Sequence, residues 1–424
     1  MTPRELLLGS FRAAVAAADP LQIVPPHLPP PPRGRTLVVG AGKAAASMAL
    51  AVEQHWPATA PLEGIVITRY GHGLPTRRIK VVEAGHPVPD AAGETAARTL
   101  FGAVSQLGKD DLLLALVSGG GSSLLALPVE SISMADLKAV TQALLHSGAA
   151  IQDINTVRKH LSAIQGGRLA AACAAEIRAL VISDVTGDDP THIASGPCAP
   201  DPTTYGDALD ILARYRCAVP PAVMATLQRG AGGALAETPK PGDAVFARTE
   251  NHVIATAQLS LQAAAAYWAA NGVRAVVLGD RVTGEAREVA ALQAALAREV
   301  RARSLPWPAP LAIVSGGECT VTVRGRGRGG RCAEFLLALA RELGGAPGIH
   351  ALACDTDGID GSEDNAGAIA APDTLARAAA RGLNPAHMLA NNDGYGFFAA
   401  LDDLVVTGPT RTNVNDYRAI LAGA

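Results

Sequence analysis

Two glycine-rich turns carry the first candidate chemistry. Val38-Val39-Gly40-Ala41-Gly42-Lys43 sets two glycines and a lysine directly after an apolar run. Ser118-Gly119-Gly120-Gly121-Ser122 follows the apolar run Leu112–Val117 in the same way. Glycine lets a backbone turn its amides toward a ligand with no side chain in the way. A lysine beside such a turn attracts a phosphate or carboxylate. The first turn also fits the G-x-G-x-x-G/A spacing of dinucleotide sites. A nicotinamide site normally adds an acid at the end of the next strand; here Gly64–Thr68 leads into Arg69-Tyr70, which suits only a 2′-phosphate. Anion binding, dinucleotide binding and a purely structural turn all stay open for Gly40, Gly42 and Lys43. The second turn lacks the spacing of a P-loop.

Acidic and cationic segments supply the rest. Ser183-Asp184-Val-Thr-Gly187-Asp188-Asp189-Pro190 follows a strand, where carboxylates hold Mg²⁺ or cap a turn. Asn155-Thr-Val-Arg158-Lys159-His160 places three cations together, as an anion attractor or a solvated helix face. Ser315-Gly-Gly-Glu318 precedes Gly329-Gly330-Arg331, and Arg331 stands where a helix starts; its planar guanidinium can grip a carboxylate or phosphoryl group bidentately. Asp355-Thr-Asp357-Gly-Ile-Asp360 has alternating acids but fails the EF-hand pattern at Ile359, so a magnesium or substrate-hydroxyl role suits it better than calcium. Thr407 to Asp416, with Asn413 inside it, packs many small polar groups into ten residues, as a chemistry-bearing segment or as a C-terminal turn.

The elements that must position these groups are βα units. Apolar runs at Thr36–Val39, Gly64–Thr68, Lys80–Glu83, Leu112–Val117, Ala179–Ser183, Asn251–Ala255, Ala275–Leu278, Leu311–Ser315, Thr320–Val323 and His350–Cys354 read as strands, several apolar on both faces as buried parallel strands are. Alanine-rich helical segments fill the intervals, which favours doubly wound α/β layers. Thr2 and Glu5 form a capping-box spacing with Pro3 at the first helical position. The six prolines from Pro25 to Pro32 form an extended connector, and Arg324 to Gly330 is read as a mobile loop. The Gly- and Pro-rich stretch Gly230–Asp243 divides the chain into domains 1–238 and 239–424. Two strands ending alike, Leu113-Leu-Ala-Leu-Val-Ser-Gly-Gly120 and Pro310-Leu-Ala-Ile-Val-Ser-Gly-Gly317, place one ligand-binding strand end in each domain and a site in the cleft between them.

Composition excludes several other classes. The 424 residues carry a net charge of −3 with 18% charged side chains, so there is no basic footprint for nucleic acid. No uninterrupted apolar stretch of about 18 residues predicts a membrane span, and the N-terminus lacks the apolar segment of a signal peptide. Six cysteines without C-x-x-C or zinc-type spacing are expected to be reduced thiols of a cytoplasmic protein.

In their order these segments, together with Gly85-His86-Pro87-Val-Pro89-Asp90 and Thr407-Gly-Pro-Thr-Arg-Thr-Asn413-Val, resemble the glycerate 2-kinase family whose C-terminal half is called the MOFRL domain. The resemblance runs from about Thr36 to Asp416. It implies an α/β fold, with a Rossmann-like N-terminal domain, a smaller α/β C-terminal domain and an interdomain active site. It implies ATP-dependent phosphorylation of D-glycerate to 2-phosphoglycerate with Mg²⁺; members also carry the older label hydroxypyruvate reductase, an NAD(P)H-dependent alternative. The family's important Lys and Arg match Lys43 and Arg331, and its acids and amide match Glu318, Asp357 and Asn413. Lys43, Arg331 and Asp357 are thus the expected catalytic set. Gly40, Gly42, Ser118, Gly119, Gly120, Gly121, Ser122, Asp188, Asp189, Glu318 and Asn413 are the expected substrate or nucleotide contacts, with no metal ligand assigned. The expected partners are glycerate and a nucleotide, with no nucleic acid and no membrane, and a homodimer left open.

Overall fold

The computed structural model describes residues 1–423. The chain divides into two units, Pro20–Ile254, and Met1–Asp19 together with Ala255–Ala424. This differs from a division at 238/239, and the packing shows why. The linker-like stretch is bonded into the first unit: Lys240 Nζ donates to Thr238 Oγ1 (2.8 Å), and Thr238 Oγ1 donates to buried Asp201 (3.1 Å). The N-terminal helix Pro3–Ala16 keeps its capping box but belongs to the second unit, where Leu7, Phe11 and Ala14 are buried with Leu261, Trp268 and Tyr417. Among the described residues no single helix is long and apolar enough to cross a membrane.

The first unit is built on one six-stranded sheet. Its strands are β1 (Thr36–Ala41), β2 (Leu62–Arg69), β3 (Ile79–Ala84), β4 (Leu112–Val117), β5 (Glu176–Ile182) and β6 (Thr249–Ala255), in the spatial order β3-β2-β1-β4-β5-β6. The pairs from β3 through β5 are all parallel. Every residue of β1 and β4 is buried, which explains their unbroken apolar sequences. The order reverses direction between β1 and β4, and loops at such a switch point diverge to leave room for a ligand. Both glycine turns leave the sheet there.

The second unit has a mixed sheet in place of a second doubly wound parallel one. Its strands are β7 (Arg274–Val277), β9 (Leu311–Ser315), β11 (Ile349–Asp355), β12 (Gly367–Ala370), β13 (Leu404–Val405) and β14 (Asp416–Ala422), in the order β13-β12-β11-β14-β9-β7. Only β7–β9 is parallel; the other pairs run antiparallel. The central strand β14 is not among the strands expected from sequence, and only its first residue, Asp416, lies in the polar C-terminal segment. Its charged residues hide it, since Asp416 and Arg418 are both buried and pair at 3.2 Å. The run Thr320–Val323 is not a strand of this sheet. Only β10 (Cys319–Thr320) pairs, with the two-residue β8 (Gly284–Glu285). The helix Arg331–Leu343 packs Phe335, Leu336 and Leu339 into the core against this sheet.

Candidate active site

The two turns of the first unit are tied to each other. The Lys43 amide donates to Gly119 O (2.9 Å), the Ala44 amide to Ser118 Oγ (3.0 Å), and the Ser118 amide to Ala41 O (3.1 Å). Gly42 and Gly120 combine a positive φ with a close approach. Gly42 has φ +139°, and a Cβ there would lie 2.0 Å from Ser118 Oγ. Gly120 has φ +79°, and a Cβ there would lie 2.9 Å from His86 Nε2 and 3.5 Å from Lys43 Cγ. The structure thus brings together Gly40, Gly42, Lys43 and Ser118 to Ser122, all assigned from sequence.

It adds residues that had no assigned role. His86, on the loop after β3, lies against Gly120. Burial first, then the charges of Lys43, Arg69, His72 and Arg158, push its imidazole down to about 3. Arg158 donates to Ser122 O (2.7 Å), and burial lowers its guanidinium to about 10. Gln165 Nε2 donates to the same carbonyl at 2.8 Å, while Ser122 Oγ meets Ser195 Oγ at 2.9 Å. Arg158 is thus the one member of the Arg158-Lys159-His160 run aimed at the turn. Lys159 is buried against Asp201 (3.4 Å), and His160 Nδ1 is 2.8 Å from Thr156 O, so both serve the interior. The signal available in the sequence was His86 in a Gly-His-Pro segment immediately after a strand. Asp188 and Asp189 stay on the loop after β5, where Asp189 accepts the Thr191 amide (2.9 Å) and Asp188 has φ +56°; here they shape a turn.

In the second unit Arg331 opens its helix as expected, but its fork is already filled. Nη1 contacts Glu318 (2.8 Å), Nη2 Asp355 (2.8 Å) and Nε Asp416 (2.7 Å). Burial disfavours its charge, yet Asp416, Asp355 and Glu318 together hold it well above its usual value. Asp416 lies between Arg331 and Arg418. Asp360 receives the amides of Cys332 (2.9 Å) and Ala333 (2.8 Å), so it anchors the first turn of this helix. Burial lifts its carboxyl to about 7 against those two bonds. Asp357 is 1% exposed and accepts the Ile359 amide (2.8 Å). The Thr410 amide donates to Asp357 O (3.0 Å), and Asn413 Oδ1 accepts the Asn415 amide (3.3 Å). The segment Asp355–Asp360 and the segment Thr410–Asp416 therefore form one bonded cluster, joined further by Thr356 Oγ1 donating to Asn415 O (2.6 Å). The loop 324–330 is also laced down: the amides of Arg324, Arg326 and Arg328 donate to Asn392, Asn391 and Asp393.

Glycine turns with a lysine at the switch point of a parallel α/β sheet have the geometry of an anion site. Residues 6–228 match the family described as a domain of unknown function, DUF4147, and residues 311–416 match the MOFRL family. A protein of Agrobacterium vitis with the provisional name hydroxypyruvate reductase is 52% identical over 426 residues, covering 100% of this chain and 95% of its own. A protein of Thermotoga maritima named D-glycerate 2-kinase is 38% identical over 415 residues, covering 97% of each chain. The crystal structure of glycerate kinase from Thermotoga maritima superposes with a TM-score of 0.87 at 37% identity, covering 99% of each chain. The chain belongs to the glycerate 2-kinase family of the MOFRL type.

Proposed function

We propose that this chain transfers the terminal phosphoryl group of ATP to the 2-hydroxyl of D-glycerate, giving 2-phosphoglycerate. The observation that carries the reading is the full-length kinship with glycerate kinases in both sequence and fold. The geometry of the first unit supports it, with Lys43 fixed beside a glycine turn at the switch point of a parallel sheet. The strand order β3-β2-β1-β4-β5-β6 supports a Rossmann-like reading of this unit.

Phosphoryl transfer depends on positioning and charge neutralisation more than on covalent chemistry. In this reading Lys43 neutralises the reacting anion, and the Ser118–Ser122 turn cradles phosphoryl or carboxylate oxygens. Asp357 accepts the hydroxyl proton, and Asn413, Glu318 and Arg331 contact the reactants. Among the described residues no group of three or more His, Cys, Asp or Glu side chains is arranged to hold a metal ion. Magnesium suits the site as part of the nucleotide complex, where one or two carboxylates complete a shell of water and phosphate oxygens; the acids at the ends of β5 and β11 are the carboxylates available. The bound ion would offset charge on the phosphates. The six cysteines are free, consistent with a cytoplasmic enzyme.

The second reading, reduction of hydroxypyruvate by NADPH, is favoured by the name carried by the Agrobacterium relative. One experiment separates the two. The purified protein is mixed with D-glycerate, Mg²⁺ and ATP, and separately with hydroxypyruvate and NADPH. Appearance of the 2-phosphate by phosphorus NMR supports the kinase. Loss of NADPH absorbance without phosphorylation replaces it with the reductase. Gel filtration of the same sample decides between monomer and homodimer.

A further inference from the structure

We propose that His86 is a ligand-binding residue, whose uncharged imidazole hydrogen-bonds the anion held at the Lys43 and Ser118–Ser122 turns. The inference rests on the kinase reading for the identity of that anion, which is either the hydroxy-acid carboxylate or the nucleotide polyphosphate.

Three observations converge on it. First, the ring is placed at the turn itself, since a single methyl group at Gly120 would strike the His86 ring at 2.9 Å and touch the Lys43 stem at 3.5 Å. The turn leaves Gly120 bare, and the imidazole occupies the adjacent space. Second, His86 has no hydrogen-bond partner among the described residues, and its Nδ1 is buried. A buried polar nitrogen without a partner is costly, so such a group is retained where a ligand completes it. Third, the charges bearing on the ring are those of Lys43, Arg69, His72 and Arg158. Neither the Gly119 nor the Gly120 amide donates to another described residue. Cationic groups around a turn with positive φ make an anion-binding concavity.

The low proton affinity of His86 fits this role. A charged imidazole would repel the neighbouring cations in the ligand-free enzyme. The neutral ring supplies an N–H donor without adding to that repulsion, so the cluster can stay assembled while it waits for the anion.

The test is calorimetric titration of the full chain with D-glycerate, with Mg²⁺-ATP and with inorganic phosphate, in wild type and in H86F, H86A and H86Q. Loss of one hydrogen bond to an anion should weaken binding roughly 10- to 100-fold. H86F and H86A are expected to lose that factor for either D-glycerate or Mg²⁺-ATP, with the other reactant unaffected. H86Q, which keeps a neutral N–H donor, should recover part of the loss. The reactant that weakens identifies the anion. If H86F binds both reactants as wild type does while H86Q does not, the ring merely fills space and the proposal fails. It fails equally if all three variants bind normally. Wild-type protein that phosphorylates no hydroxy acid would overturn the kinase reading alone, because the titrations do not depend on turnover.

Discussion

Gly42→Ala is the sharpest single perturbation of the first unit. The new Cβ would stand 2.0 Å from Ser118 Oγ and 2.5 Å from Ser118 O, at φ +139°. Rotating the serine hydroxyl relieves only the first clash, because the backbone oxygen stays where it is. Ordinary contact begins near 3.4 Å, so the two turns must part by about 1 Å or more. That stretches the Lys43–Gly119 and Ala44–Ser118 bonds that hold them together. Backbone strain of about 1–3 kcal/mol and overpacking of about 1–3 kcal/mol add to a stability loss of about 2–6 kcal/mol. A misplacement of about 1 Å at a reacting group costs on the order of 10²-fold in rate. Gly148→Ala is the matched control: its φ is +74° with nothing within 4 Å of a Cβ, so only the strain of about 1 kcal/mol applies and turnover should hold. The assay is ADP release with D-glycerate, beside urea melts of both variants. Wild-type turnover and stability in Gly42→Ala would refute the claim that the two turns must touch.

Lys43→Ala should lower turnover by about 10²–10³-fold, the scale of one lost electrostatic contact, with the turn itself retained because the Lys43 backbone bond to Gly119 survives the substitution; steady-state kinetics check the loss. Arg331→Lys should destabilise the second unit by about 1–3 kcal/mol in urea melts, since one ammonium cannot reproduce three directed bonds to Glu318, Asp355 and Asp416. The lowered His86 value gives a pH dependence: above pH 6.5 the ring is neutral in both folded and unfolded chains, and as pH falls toward 3 only the unfolded chain gains the proton, so stability drops across that window. Melts of wild type and H86Q should converge above pH 7 and diverge below 6, with the variant the less pH-sensitive.

Much of the first unit was legible because its two central strands, β1 and β4, are buried on both faces and end in glycine turns. β4 has no polar residue to confuse the pattern and β1 only Thr36 at its start, and their ends carry the expected groups. The domain boundary was not legible, because Gly230–Asp243 has linker composition while Thr238 and Lys240 are tied to the segment around Asp201. In the second unit β14 was missed for a related reason. A buried arginine and aspartate neutralise one another across two positions of the same strand, and hydropathy alone reads them as surface. Arg158 and His86 were missed as site residues because nothing in a linear pattern says that the helix Ile151–His160 and the loop after β3 reach the same glycine turn.

The two units carry opposite local charge, and this bears on how Arg331 is understood. Around Gly120 the charges acting on His86 come from Lys43, Arg69, His72 and Arg158. Around Arg331 lie Glu318, Asp355 and Asp416, with Arg418 as the second cation. A guanidinium whose three nitrogens already meet three carboxylates has little left to offer an incoming anion. Two of those carboxylates are buried and fixed, Asp355 at 3% and Asp416 at 2% exposure, whereas the Glu318 side chain is 54% exposed. Surface ion pairs are worth little, so the Glu318 contact is the one a reactant can replace at small cost. Arg331 therefore holds Asp355 and Asp416 more firmly than it holds Glu318.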